Sequence, residues 1–264
     1  MSPDHFFAFP DRAFWKSVVR YFFPPICIVC GRVLTEGQNC TPGLLQMGLC
    51  KTCLSKLPIR IGKERVHPCL SDPYDEDKIP DLQVWVLFHY EMPVTSLLRR
   101  LKFHDGEYCG TALGKLMGRE LLHDLPYLPD AIVPIPLSSK RLEKRGYNQA
   151  AVIAREIAQI LQIPLLENVL YRKRHTKQQS RFNDPLVRQK NIEGAFGVEP
   201  EWDIEGVRLL VVDDILTSGA TIHEAAQTLI EAGAGEVLGV VCASHRVASR
   251  QNDEKDTKKI TKCH

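Results

Sequence analysis

The 264-residue chain lacks any apolar run near the roughly 18 residues that a membrane-spanning helix needs. No segment therefore reads as a membrane span. It also lacks a dominant charge of either sign. Its 34 Lys and Arg against 32 Asp and Glu leave a formal net charge of +2, too little to imply a polyanionic partner, so any electrostatic function must come from local clusters. The opening stretch MSPDHFFAFPDRAFWKSVVRYFFPP has no basic start, smooth apolar core or small-residue cleavage site. It does not read as a signal peptide, and the expected compartment is the cytoplasm. Within it, Phe14, Trp15, Val18, Val19 and Phe22 share one helical face, expected to pack on the protein or a partner rather than on a membrane. Internal repeats are absent too.

Cysteine, by contrast, is plentiful and unevenly placed. Six of the nine, Cys27, Cys30, Cys40, Cys50, Cys53 and Cys69, fall in the first 69 residues. An odd total without a secretory signal argues against a disulfide framework. Two pairs, Cys27-x2-Cys30 and Cys50-x2-Cys53, are separated by 19 residues, a spacing typical of four-cysteine zinc sites. Each pair can form a tight knuckle aiming two thiolates at one ion, and four protein ligands leave no open position. The expected Zn²⁺ is thus structural. Two buried thiol pairs, or a redox pair, are the plainer alternatives. Cys40 and Cys69 are ambiguous, whereas Cys109, Cys242 and Cys263 suit a core or a tail.

Three regions follow from the pattern. Residues 1–80 would hold the aromatic helix and a zinc-ribbon-like module, ending in the turn-rich SDPYDEDKIPD. Residues 81–246 alternate strand-like and helical segments. Residues 247–264 are charged, with little to bury, and suit a disordered tail. In the middle region VWVLFHY, AIVPIPL, RLLVVDD and EVLGVVCASH read as strands, with IPLLENVLYR a further candidate. VTSLLRRLKF, residues 111–122, YNQAAVIAREIAQIL and ATIHEAAQTLIEAGA read as helices, the last stopping at Gly233. Such alternation predicts an α/β domain with a mainly parallel sheet flanked by helices.

Chemistry concentrates in LLVVDDILTSGAT, residues 209–221. Ligands of open parallel sheets bind beyond the carboxyl ends of the strands, where Asp213 and Asp214 fall. Two adjacent carboxylates there can accept hydrogen bonds from vicinal hydroxyls or approach a metal. The following loop leads into a helix N-terminus, which favours an anion. Gly219 permits close backbone approach, and Thr217, Ser218 and Thr221 add hydroxyls. A diol beside a phosphate describes ribose 5-phosphate. The plain alternative is a capped helix with solvated acids.

This stretch resembles the phosphoribosyl-pyrophosphate (PRPP) motif of type I phosphoribosyltransferases. Together with VPIPLSSKRLEKRGYNQA, RKRHTKQQSRFNDPLVRQKNIEGAF and the cysteine pairs, the chain resembles the ComF family, which joins a zinc module to a phosphoribosyltransferase-like domain and includes proteins of DNA uptake. The resemblance implies that Asp213 and Asp214 act at the ribose hydroxyls of PRPP. Thr217, Ser218, Gly219, Ala220 and Thr221 would hold the 5-phosphate, and Ser138, Ser139, Lys140 and Arg141 would form the pyrophosphate loop. Mg²⁺ would be held chiefly by the pyrophosphate, hydroxyls and waters. Ser218 stands where many such enzymes carry a second Thr, retaining the hydroxyl.

Basic residues gather at Arg99, Arg100 and Lys102, at Lys140, Arg141, Lys144 and Arg145, and from Arg172 to Arg181. They suit solvated faces, a loop over a phosphate-rich ligand, or nucleic-acid contacts. Arg172, Lys173, Arg174, Lys177 and Arg181 are the candidate nucleic-acid contacts, with Tyr147 and Phe182 able to stack on bases. Arg145, Asn148 and Gln149 also suit simple helix capping. His89, His104 and His123 stand alone and suit surface or core roles. Three functions remain open. One is PRPP binding coupled to single-stranded DNA handling, beside an uptake helicase or other competence protein. A second is phosphoribosyl transfer to a small amine or base. The third is a non-catalytic zinc-containing interaction protein.

Overall fold

A computed structural model describes residues 21–66, 82–103, 106–173 and 192–244, with only the backbone of 61–66. It divides into two compact units, Met1–Lys56 and Leu57–His264. The division falls well before residue 80. The segment after Lys56 forms a strand of the larger unit's sheet, which its short, weakly alternating sequence did not announce. The aromatic face from Phe14 to Phe22 falls almost wholly outside the described residues, as do Cys69, His104, Phe182 and the charged tail.

In the smaller unit one short helix lies between the cysteine pairs and a second spans the later pair. Helix α1, Pro42–Met47, starts at Thr41, whose side chain accepts from the Leu44 amide, and stops at Gly48 in the left-handed conformation. Cys50 caps α2, Lys51–Leu54. Cys40, Leu44, Met47 and Leu49 are buried.

The larger unit is built on a five-stranded sheet ordered β1-β2-β7-β6-β3. The strands are β1 (Ile59–Val66), β2 (Leu82–His89), β3 (Ala131–Pro134), β6 (Arg208–Leu216) and β7 (Glu236–Ser244). Only β1 is antiparallel to its neighbour; β2, β7, β6 and β3 run parallel. The mainly parallel sheet expected from the alternating pattern is present. Strand β6 pairs on both sides, and Leu209, Leu210, Val211 and Val212 are all fully buried. A strand covered on both faces needs such a continuous apolar run, and each buried side chain contributes about 1.5–3 kcal/mol. A small antiparallel pair, β4 (Leu170–Arg172) with β5 (Phe196–Val198), stands apart from the main sheet.

Helices cover both faces. The helices α3 (Val94–Arg100), α4 (Glu107–Asp124), α5 (Ser139–Arg145), α6 (Gln149–Leu161) and α7 (Ala220–Glu231) follow in order. Ile222, Ala225 and Leu229 of α7 share one core with Leu209 and Val211 of β6. Helix α6 lies over β3 and β6 and packs closely on α4. That closeness depends on Gly110, Gly114 and Gly118, one per turn of α4. A Cβ on Gly114 would come within 2.7 Å of the Ile153 carbonyl oxygen. None of the described helices is long and apolar enough to cross a membrane.

Candidate functional site at the carboxyl end of strand β6

The apolar run of strand β6 breaks at Asp213, one residue past the last pairing with its neighbour β3. A cavity of about 430 Å³ opens there, lined by the ends of β3 and β6, the start of α7, the α5–α6 segment and Lys102 after α3. Asp213 and Asp214 are half-buried, and the Asp214 amide donates to the Asp213 carboxylate at 2.8 Å. Thr217, Gly219 and Thr221 line the same cavity. Gly219 has φ +87°, a left-handed turn that any Cβ would strain, and it swings the chain into α7. Its carbonyl accepts from the His223 amide at 3.0 Å. The helix therefore begins at the cavity wall, with the positive end of its dipole directed there.

Four cationic side chains line the same cavity: Lys102, Arg141, Arg145 and Arg172. The Arg172 guanidinium lies 5.0 Å over the Phe196 ring. Burial and the neighbouring Asp214 push the Asp213 carboxyl up to about 8, against the opposing pull of the Asp214 amide and Arg172. Burial and Arg141 pull Arg172 down to about 10. Burial, with Arg145 adding to it, likewise lowers Arg141, while both aspartates oppose the shift. The cavity thus combines acceptors suited to hydroxyls with cations suited to phosphates, both partly withdrawn from water.

The phosphoribosyl transferase domain family matches residues 142–264. Over 82% of this chain and 95% of its own length, Competence protein F of Haemophilus influenzae is 29% identical. DNA utilization protein YhgH of Salmonella typhi is 31% identical over 80% of this chain and 87% of its own. Competence protein ComFC of Streptococcus pneumoniae is 30% identical over 80% and 96%. The chain belongs to the ComF family. Its larger unit has the type I phosphoribosyltransferase fold. Among solved structures, a Bacillus subtilis glutamine PRPP amidotransferase aligns with TM-score 0.40 at 18% identity, covering 62% of the ComF chain and 38% of the other.

Several residues sit differently in this ComF protein from their sequence-based expectation. Ser139, Lys140 and Arg141 belong to helix α5 rather than to a loop, because Ser138 takes the extended conformation of an N-cap residue. Of Ser138, Ser139, Lys140 and Arg141, only Arg141 lines the cavity; of the loop after β6, Ser218 and Ala220 do not. Ser218 instead accepts from the Ala220 amide at 3.4 Å. Arg172, expected among the nucleic-acid contacts, lines the cavity beside Asp213. Lys173 is exposed, and Arg174, Lys177 and Arg181 lie outside the described residues. Arg145, Asn148 and Gln149, for which helix capping is the plainer of the alternatives, line the cavity with Lys102 and Tyr90. Asn148 does cap α6, accepting from the Ala150 amide. Its amide group also donates to the Ile135 carbonyl at 3.0 Å. Tyr147 uses its hydroxyl on the carbonyls of Leu101 and Phe103.

In the smaller unit Cys27, Cys30, Cys50 and Cys53 bring their sulfurs within 4.8 Å of one another, with Cys30 and Cys50 at 4.0 Å. A tetrahedral ion with bonds of about 2.3 Å requires sulfurs about 3.8 Å apart, so the residues fit a closed metal site. The Cys53 amide points at Cys50 Sγ, 3.4 Å away. Burial raises the Cys27 thiol, but amide donors from Cys30, Cys50 and Val29 more than offset it, bringing it to about 7. Cys53 is driven the other way by burial and its three neighbouring thiols. Cys40 is fully buried and donates to the Thr41 and Leu49 carbonyls, outside the four-sulfur group.

Proposed function

We propose that this protein binds PRPP together with Mg²⁺ in the cavity at the end of β6, and acts in the cytoplasm in the handling of incoming single-stranded DNA. One observation carries the reading: an acid pair, a hydroxyl-rich helix start and four cations converge on a single cavity. Asp213 and Asp214 accept from the ribose 2′- and 3′-hydroxyls. Thr217, Ser218, Gly219, Ala220 and Thr221 surround the 5-phosphate, some through the backbone. Arg141, in a segment with Ser138, Ser139 and Lys140, meets the diphosphate together with Arg172. Mg²⁺ enters on the diphosphate, whose oxygens suit it better than a dedicated protein cage. Zn²⁺ occupies the four cysteines and holds the smaller unit folded.

The competence and DNA utilization names of its relatives support the DNA role, with a helicase or other competence protein as partner. Lys173, Arg174, Lys177 and Arg181 supply the backbone contacts, whose affinity falls steeply with salt. The two activities separate by substitution. Arg172→Ala should weaken PRPP binding, whereas neutralising Lys173, Arg174, Lys177 and Arg181 should weaken single-stranded DNA binding and spare PRPP. Full DNA affinity in that quadruple variant would remove the basic segment from the account.

A second reading, phosphoribosyl transfer to a small amine or base, is favoured by the cations themselves. Charge that develops on a departing diphosphate is what such a cluster stabilises. Pyrophosphate release from PRPP, screened over amines and bases with and without DNA, tests it. No release with any acceptor would leave binding without transfer.

A further inference from the structure

Lys102 and Tyr147 come from distant parts of the chain, yet Tyr147 bonds the residues on both sides of Lys102. Lys102 lines it from the turn after α3. It is flanked by Leu101, fully buried, and Phe103, 65% exposed. The Tyr147 hydroxyl reaches the carbonyl oxygens of both flanking residues, at 2.6 Å for Leu101 and 3.0 Å for Phe103. One phenolic proton is shared between two acceptors. The clamp therefore holds the peptide group just before Lys102 and the carbonyl of Phe103 just after it, and so restrains the backbone from which the Lys102 side chain departs. Tyr147 is itself immobilised, sitting one residue before Asn148, which is bonded to Ile135 at the end of β3 and caps α6. Arg145, two residues earlier, donates to Gln149 at 2.6 Å.

We propose that Lys102 is a phosphate-binding residue of this cavity and that Tyr147 is the positioning residue that delivers it. The proposal rests on the PRPP reading above. A lysine is a compact point charge on a flexible stem, so a site that uses one gains from a rigid backbone beneath it. The α5–α6 turn provides that rigidity while itself carrying Arg145 and Arg141 to the same ligand. One element then sets the spacing of three of the four cations. Of these, Arg141 and Arg145 are on α5, and the segment around Lys102 is tied to the same element by the Tyr147 hydroxyl.

The test uses the full-length protein with magnesium pyrophosphate and, separately, magnesium PRPP, each titrated calorimetrically. Lys102→Met should weaken both by roughly tenfold, the scale of a charge-assisted hydrogen bond. Tyr147→Phe should weaken both by about threefold in the wild-type background, a fraction of that bond. In the Lys102→Met background it should add nothing, because there is no ammonium left to position. Wild-type affinity in Lys102→Met would overturn the proposal while leaving PRPP binding intact. An undiminished Tyr147→Phe effect in the Lys102→Met background would reduce Tyr147 to a structural residue and overturn the positioning role. A wild-type protein that bound neither ligand would take down this inference and the PRPP reading together.

Discussion

Asp213→Asn should stabilise the ligand-free protein, and more so at high pH than at low pH. The side chain is half-buried at the end of β6 beside Asp214, and its carboxyl is pushed up to about 8 from an ordinary value of 3.8. A folded-state value above the unfolded one means that the native protein binds the extra proton. Its stability is then fully present below pH 4 and is lost as the pH rises toward 8. If the whole shift were expressed, the loss from pH 5 to pH 8 would be about 4 kcal/mol, at about 1.4 kcal/mol per unit. Partial solvent access and proton sharing with Asp214 reduce this to about 2 kcal/mol. Asparagine keeps the shape and an acceptor for the Asp214 amide but carries no charge. Urea unfolding of both proteins at pH 5, 6.5 and 8 should show the smallest gap at pH 5. The gap should widen by about 2 kcal/mol in favour of Asp213→Asn between pH 5 and pH 8. A variant less stable than wild type at pH 8, or a gap equal at all three values, would refute the electrostatic account of the acid pair. The cost is the expected companion of a binding function, since strain of this kind gathers where a ligand will relieve it.

Other consequences are more briefly stated. Gly114→Ala, normally a helix-stabilising change of up to about 1 kcal/mol, should instead destabilise by about 2 kcal/mol, because its Cβ would meet the Ile153 carbonyl oxygen and Glu156 Cβ. A raised melting temperature would contradict the tight α4–α6 packing. Cys50→Ser should abolish stoichiometric zinc, measured by elemental analysis, whereas Cys40→Ser should leave one ion per chain. Equal metal loss in both would put Cys40 among the ligands. Ribose 5-phosphate should compete with PRPP at least tenfold better than 2-deoxyribose 5-phosphate, since the missing hydroxyl leaves a desolvated carboxylate unsatisfied. Equal competition would detach the acid pair from the diol.

Legibility in the sequence tracked the strength of the local signal. The buried run of β6 and the amphipathic α6 were plain, because a strand covered on both faces and a half-buried helix each impose their own periodicity. The cysteine pairs were equally plain, since a metal fixes ligand spacing. Strand β1 was hidden: an edge strand with one neighbour needs little apolar character. The helical start at Ser139 was hidden by its resemblance to a phosphate loop and by having Leu142 as its only large apolar residue. Lys102, Tyr90, Arg145 and Gln149 reach the cavity only through tertiary packing, and no short-range pattern marks that. Arg172 illustrates the limit: its basic neighbours group it with nucleic-acid contacts, whereas its stacking on Phe196 across the β4–β5 pair places it at the cavity of the acid pair.

Calorimetric titration of magnesium PRPP into the full-length protein and into Asp213→Asn/Asp214→Asn tests the central claim most directly. The account predicts saturable binding near one site per chain in the wild type and none measurable in the double variant, with both proteins folded. Wild-type protein that shows no saturable binding, or a double variant that binds as tightly, would contradict it.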